Sequence, residues 1–201
     1  MPDPTDHYFS DRPGSPEDRR PATVRLGGRE LDVVTAGGVF AHGRVDTGTQ
    51  VLLRTVDAGG LDGDVLDLGC GWGPIALAMA MGSPAARVWA VDVNPRAVEL
   101  THANATRAGL DGIRAVTPDE VPEHVTFTAI WSNPPIRVGK AALHELLTTW
   151  FGRLAPGGTA SLVVQRHLGA DSLQRWIGDE LGMPTRRLAS AKGFRVLRVS
   201  R

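Results

Sequence analysis

Cysteine is almost absent: Cys70 is the only one in 201 residues. An intrachain disulfide is therefore impossible, and a reducing interior is the expected setting. No apolar run approaches the roughly 20 residues of a membrane-spanning helix. The amino-terminal stretch MPDPTDHYFSD is too acidic and proline-rich for a signal peptide. These features predict no membrane partner and a cytoplasmic location. An excess of either charge is also missing, because 22 Lys and Arg balance 22 Asp and Glu. No long-range field then draws in nucleic acid, and any RNA partner has to be held by a local patch. The six histidines are scattered without ligand spacing, so no metal site is expected. Internal repeats and interior linkers are absent too, which leaves one domain with a sizeable core.

What is present is a regular alternation. Residues 1–22, with five prolines among charges, read as an irregular amino-terminal arm, and 23–201 as the single domain. TVRLGGRELDVV (23–34) predicts a hairpin around Gly27-Gly28. The glycine-rich stretch 35–48 reads as a loop, and Thr47 to Ala58 as a helix closed by Gly59-Gly60. Short apolar strands follow at 65–69, 87–93, 113–116, 126–132 and 159–165. Helical patterns at 74–81, 95–109, 140–154 and 170–181 lie between and after them. The terminal stretch 185–200 reads as a strand pair around Lys192-Gly193. Alternation of this kind predicts an α/β chain with a mostly parallel sheet covered on both faces.

The chemistry-bearing residues sit at the carboxyl ends of these strands. VLDLGCGWGPIAL (65–77) places Gly69, Gly71 and Gly73 between a strand and a helix. Such glycines let the backbone bend tightly and bring helix amides close to a ligand. The spacing is G-x-G-x-G and not the G-x-G-x-x-G of a dinucleotide site. Asp67, two residues upstream, would repel a pyrophosphate but can accept from an ammonium group, which favours a cationic or zwitterionic ligand. Asp92 ends the next strand, where an acid can take both ribose hydroxyls of an adenosine. Asp119, just after the third strand of the alternation, could accept from an adenine amino group. Each feature alone could be an ordinary turn or strand cap; their order on successive strands argues for one nucleoside site.

VLDLGCGWG, VDVNPRAV, Asp119 and SNPP together resemble the class I S-adenosylmethionine-dependent methyltransferases. The resemblance implies a Rossmann-like seven-stranded sheet with an antiparallel last strand, here carrying an additional amino-terminal β-hairpin. It also implies S-adenosylmethionine as cofactor. Asp67 and the loop of Gly69, Cys70, Gly71 and Gly73 would hold the methionyl part. Asp92 would hold the ribose, Val93 would lie against the adenine, and Asp119 would take the adenine amine. Asn133 would border the same cofactor. A nicotinamide dehydrogenase is the weaker alternative, because only the glycines point to it.

Asn133-Pro134-Pro135 ends a buried strand with residues that cannot extend one. Pro135 has no N–H, so the Pro134 carbonyl is expected to face the pocket without a competing donor. The Asn133 side chain adds a second acceptor. Two fixed acceptors suit an exocyclic –NH2 group and direct its lone pair, a task of positioning and electrostatics. The stretch is similar to the [N/D/S]PP[Y/F] motif of amino-group methyltransferases, with Ile136 where the motif has an aromatic. Phe40 is a candidate replacement for sandwiching a flat group, and Trp131 is expected in the sheet.

From about His7 onward the chain resembles the short, single-domain members of the small-subunit rRNA guanine-N2 methyltransferase family. HYFSDRPGS, GGVFAHGRVDTGTQVLL, SNPPIRVGKAALHELL and KGFRVLRVS carry this likeness. It implies methyl transfer to guanine N2 of 16S rRNA, with ribosomal RNA or the small ribosomal subunit as partner. The base would be flipped out of its helix. Arg44, Arg137 and Lys140 are candidate phosphate contacts, with Phe40 and Ile136 near the base. Arg186, Arg187, Arg195 and Arg198 are expected on exposed strand positions. Alternative readings are a methyltransferase acting on protein glutamine, adenine or a small molecule, and a non-catalytic cofactor-binding assembly factor.

Overall fold

A computed structural model describes residues 18–39 and 43–201, apart from the side chain of Arg137. Phe40 lies outside the described residues. The described residues open with a two-stranded antiparallel ribbon, β1 (Arg19–Leu26) and β2 (Arg29–Ala36). Its first strand starts four residues before the predicted hairpin, inside the stretch read as irregular arm. Pro21 is tolerated there because the two-stranded ribbon leaves β1 an edge strand, where a missing N–H can face solvent.

A seven-stranded sheet follows, built from β3 (Asp64–Leu68), β4 (Arg87–Val91), β5 (Ile113–Val116), β6 (Phe127–Ser132), β7 (Leu154–Gln165), β8 (Thr185–Ala191) and β9 (Phe194–Ser200). Its spatial order is β5-β4-β3-β6-β7-β9-β8. The first five neighbours run parallel, and β9 runs antiparallel to both β7 and β8. This is the Rossmann-like sheet with an antiparallel last strand that the sequence predicts. The turn before β9 is built from Lys192 and Gly193, both at positive φ, as a tight hairpin requires. β7 begins at Leu154, five residues before the predicted strand. Gly152 caps the preceding helix at Phe151, so Leu154 is free to pair with Phe127.

Among the described residues five α-helices cover the sheet: α1 (Thr47–Thr55), α2 (Pro74–Gly82), α3 (Pro95–Arg107), α4 (Lys140–Phe151) and α5 (Ala170–Glu180). The period-two alternation of each strand feeds two cores. Val65, Val88, Ala129, Trp131 and Val163 pack on the side of α1, α2, α3 and the hairpin. Leu66, Leu68, Trp89, Ile130 and Leu162 pack on the side of α4 and α5. α2 is apolar all round and buried from Ile75 to Ala80, as befits a helix enclosed between the sheet and other elements. Buried Asn104 on α3 clamps the edge of β2: it accepts from Val34 N at 2.7 Å and donates to Val34 O at 2.9 Å and Trp72 O at 2.9 Å. Arg186 and Arg187 are exposed, but Arg195 and Arg198 are half-buried, and Arg195 pairs with Asp171. The burial follows from β9 lying inside the sheet between β7 and β8. No helix among the described residues is long and apolar enough to cross a membrane.

Gly82 ends α2 against the loop after α1. A Cβ there would stand 2.5 Å from Ala58 Cβ and 2.7 Å from Ala58 O. Alanine normally strengthens a helix relative to glycine, yet here the clash with backbone outweighs that gain. Gly82→Ala is expected to lower stability by about 2 kcal/mol, read as a fall in thermal midpoint. An unchanged or raised midpoint would show that the 58–60 loop yields freely.

Candidate active site

The carboxyl ends of β3, β4, β6 and β7 converge on a cavity of about 310 Å³, within the range of small-molecule sites. Gly69, Gly71, Asp92, Asn133, Pro134 and Pro135 line it. A smaller cleft beside it reaches Cys70, Trp72 and Thr49. The strand–loop–helix turn is fastened to β4: Gly69 N and Cys70 N donate to Val91 O at 2.8 and 3.1 Å. Gly71 N donates to Asp92 Oδ2 at 2.9 Å, and Asn94 N to Oδ1 at 3.0 Å. Asp92 is thereby held at the cavity wall, 8% exposed, with burial pushing its carboxyl above the usual range. Gly73 caps α2 at φ 95°, and a Cβ there would meet the Thr101 side chain at 3.0 Å. Pro74 then occupies the first helical turn, where a missing N–H costs nothing.

Asp67 does not line the cavity. It is fully buried, sharing the Val65 face of β3, and Oδ2 accepts from Ala76 N at 2.9 Å. Oδ1 has no partner. Burial pushes this carboxyl up to about 8, with the nearby Asp92 acting in the same direction and the Ala76 N–H opposing both. A raised folded-state value means that the native protein holds a proton the unfolded chain has released. In the ligand-free protein, stability should therefore fall between about pH 4 and pH 8, on the order of several kcal/mol. Thermal melts across that range should show the fall, and Asp67→Asn should flatten it. A variant with the wild-type pH profile would contradict the assignment. Cys70 is 3% exposed beneath the loop, accepts from Thr101 Oγ1 at 3.4 Å, and its thiol is pushed well up by burial.

At the opposite wall, Asn133 donates both amide hydrogens. Nδ2 reaches Asp46 Oδ2 at 3.0 Å and Thr49 Oγ1 at 3.1 Å. The amide is pinned by its nitrogen, which leaves Oδ1 as the free acceptor. Asp46 also caps α1, accepting from Gly48 N at 2.7 Å and Thr49 N at 3.3 Å on the same oxygen. The Pro134 carbonyl is not free of donors as expected: Ile136 N donates to it at 2.9 Å. The reason lies in Pro135, whose φ −74° and ψ 77° form an inverse γ-turn, reached readily from a proline's fixed φ. A carbonyl has two lone pairs, so one acceptor site remains.

Ile136 lines the cavity together with Phe194 at the start of β9. The Phe194 ring abuts α1, where a Cβ on Gly48 would come within 2.8 Å of it. Phe194 is the residue that reading the sequence left without a role at the site, and the hold of Asp46 and Thr49 on Asn133 is visible only in the fold. The antiparallel last strand could have revealed Phe194, because pairing of Gln165 with Phe194 brings it to the carboxyl edge of β7. Other candidates stand apart from the cavity lining. Val93 is 43% exposed beyond Asp92. Asp119 is exposed in the turn after β5, where Thr117 Oγ1 donates to it at 2.6 Å and holds its carboxyl below the usual range. Lys140 is exposed at the start of α4, and Arg44 lines a separate groove.

Comparison with known proteins gives this geometry a family. The model of the methyltransferase small domain matches residues 30–198. An uncharacterized Bacillus subtilis protein, YbxB, is 32% identical over 171 residues, covering 84% of this chain and 85% of its own length. The ribosomal RNA small subunit methyltransferase C of Pseudomonas aeruginosa is 38% identical over 181 residues, covering 87% of this chain and 52% of that protein. Among solved structures, the Thermus thermophilus 16S rRNA N2 G1207 methyltransferase, in complex with AdoMet and guanosine, superposes with a TM-score of 0.80 at 26% identity. That match covers 94% of this chain and 52% of the other, so the chain spans about half the length of these two named enzymes. With the glycine turn, Asp92 and the asparagine-proline turn in one cavity and the family model spanning residues 30–198, the chain belongs to the methyltransferase small domain family.

Proposed function

We propose that this protein transfers a methyl group from S-adenosylmethionine to guanine N2 of small-subunit ribosomal RNA, in the cytoplasm. The observation that carries this reading is the Asn133 amide. Asp46 and Thr49 hold its nitrogen, so its oxygen is presented beside the Pro134 carbonyl in a cavity shared with Asp92 and the glycine loop. Two fixed acceptors fit an exocyclic –NH2 and fit an alcohol or carbon acceptor poorly.

The residues also fit the cofactor. The unpartnered Asp67 Oδ1 beneath the turn is a buried acceptor that a bound ammonium would satisfy, directly or through a water. Asp92 at the wall suits ribose hydroxyls, with Val93 against the adenine and Asp119 for its amino group. Asp46 and Asp92 line the cavity, and acids at its wall favour a cationic donor. When bound, the sulfonium supplies an electrophilic methyl carbon.

The protein's own part is positional. Asn133 Oδ1 and the second lone pair of Pro134 O accept the two amine hydrogens and turn the nitrogen lone pair toward that carbon. With the donor bound, a nitrogen–carbon bond would form as the carbon–sulfur bond breaks, and the methylated nitrogen would then lose a proton to water. Phe194 and Ile136 provide apolar surface on which a flipped base can stack, which gives the site an aromatic despite the isoleucine of the motif. The T. thermophilus relative, a 16S rRNA N2 G1207 methyltransferase bound to AdoMet and guanosine, supports guanine over adenine or a glutamine amide.

Thr49→Val removes one of the two anchors of Asn133 while keeping shape. Loss of one hydrogen bond, about 1 kcal/mol, should lower kcat by about fivefold at unchanged cofactor affinity. An unchanged kcat would mean that Asp46 alone fixes the amide. The function itself is tested by nucleoside analysis of small-subunit rRNA from cells with and without this gene. Loss of N2-methylguanosine, restored by the wild-type gene, is expected; an identical nucleoside profile would overturn the assignment.

A further inference from the structure

A second groove runs between β1 and α1, on the far side of the segment that carries Asp46. It encloses about 540 Å³, and Thr23, Arg25, Arg44, Gln50, Leu53 and Arg54 are among its lining residues. No acidic residue is among its described lining residues. Arg25, Arg44 and Arg54 are all exposed, and among the described residues none has a carboxylate partner. Four other arginines pair with carboxylates: Arg19 with Glu99, Arg20 with Asp18, Arg87 with Asp64 and Arg195 with Asp171. In a chain without net charge, three unpaired guanidiniums in one acid-free groove make a local positive field.

The groove is joined to the active site through α1. Gln50 Nε2 donates to Val45 O at 2.9 Å, which ties the loop end to the helix. Arg44 precedes Asp46 by two residues, and Thr49 precedes Gln50 by one; Asp46 and Thr49 hold Asn133. The floor is apolar and firm, with Val24, Leu26 and Val45 buried. We propose that this groove binds the sugar-phosphate backbone of the RNA strand adjoining the flipped guanine. The guanidinium fork matches phosphate oxygens, and Gln50 offers a neutral amide side chain suited to a 2′-hydroxyl. This assignment rests on the RNA reading above. It accounts for how a chain of zero net charge holds a polyanion: by a local contact surface whose Arg44 and Gln50 neighbour in sequence the residues that hold Asn133.

The test uses the full chain and a fluorescein-labelled small-subunit rRNA fragment, titrated by anisotropy between 50 and 200 mM salt. The triple variant R25Q/R44Q/R54Q is compared with wild type and with R175Q/R186Q/R187Q, which removes equal charge from exposed positions on α5 and β8. Affinity for S-adenosylhomocysteine, by calorimetry, reports an intact site. Loss of three phosphate contacts should reduce the slope of log K against log salt by about 2 and leave cofactor affinity unchanged. The control variant should keep the wild-type slope. Should the triple variant fail to fold, each single variant is expected to show about a third of the change. Wild-type slope and affinity in folded groove variants would overturn the groove while leaving RNA methylation standing. No RNA binding by wild type would overturn both. Weakened binding to anionic vesicles, with RNA binding untouched, would overturn the groove as an RNA site.

Discussion

Asn133→Ala is expected to lower kcat by about 10²- to 10³-fold, the range seen when one preorganised polar group is removed from a reacting centre. Cofactor affinity should stay within about twofold, because the glycine turn and Asp92 are fastened to β4 and not to Asn133. Single-turnover transfer and calorimetric titration of the same preparation separate the two effects. Asn133→Asp is a sharper probe. It keeps an acceptor oxygen but replaces the Nδ2 that now lies 3.0 Å from Asp46 Oδ2 with a second carboxylate oxygen. Like charges at that distance disfavour the ionised pair, so this conservative change is expected to fail as well. Wild-type turnover in the alanine variant would remove Asn133 from the mechanism. Full activity in the aspartate variant would show that its orientation by Asp46 is unimportant.

Asp92→Ala is expected to weaken S-adenosylhomocysteine binding by about 100-fold, from the loss of charge-assisted hydrogen bonds worth roughly 1.5–3 kcal/mol each. Part of the effect is indirect. Asp92 also holds Gly71 N and Asn94 N, so its removal loosens the turn that faces the ligand. Asp92→Asn keeps the size and one acceptor and should fall between the two. A calorimetric titration giving the wild-type constant for the alanine variant would sink the assignment of Asp92 to the ribose.

The strand–helix alternation was readable because each strand feeds two cores and each helix one, which imposes distinct periodicities on short segments. Leu66 and Leu68 on one face, Val65 on the other, are an example. Local signals were equally legible: Asn94 caps α3 by accepting from Arg96 N at 3.0 Å, and Lys192-Gly193 closes the last hairpin. What could not be read is long-range pairing. Asp46 stands just before the predicted helix in the sequence, and its bond to a residue 87 positions away exists only once β6 and α1 are packed. Phe194 reaches the cavity through strand insertion, and Asn104 clamps β2 through tertiary contact alone.

The Pro134 carbonyl teaches a different lesson. Absence of a donor at Pro135 was read correctly, but the proline's fixed φ offers the next amide instead, and Ile136 N takes up one lone pair. Asp67 likewise keeps its place at the end of β3, while the alternation of the strand turns its side chain toward α2 and away from the cavity. In both cases residue identity was informative and direction was decided by backbone geometry.

The measurement that tests the central claim most directly is transfer of radiolabelled methyl from S-adenosylmethionine, by the purified protein, to small ribosomal subunits from a strain lacking this gene. Bulk protein and a metabolite extract from the same strain are assayed in parallel. The account predicts label in rRNA, recovered as N2-methylguanosine after nucleoside digestion, and its loss with Asn133→Ala. Label in protein or metabolites alone would contradict the ribosomal substrate, and label in rRNA as another nucleoside would contradict guanine N2 as the accepting amine.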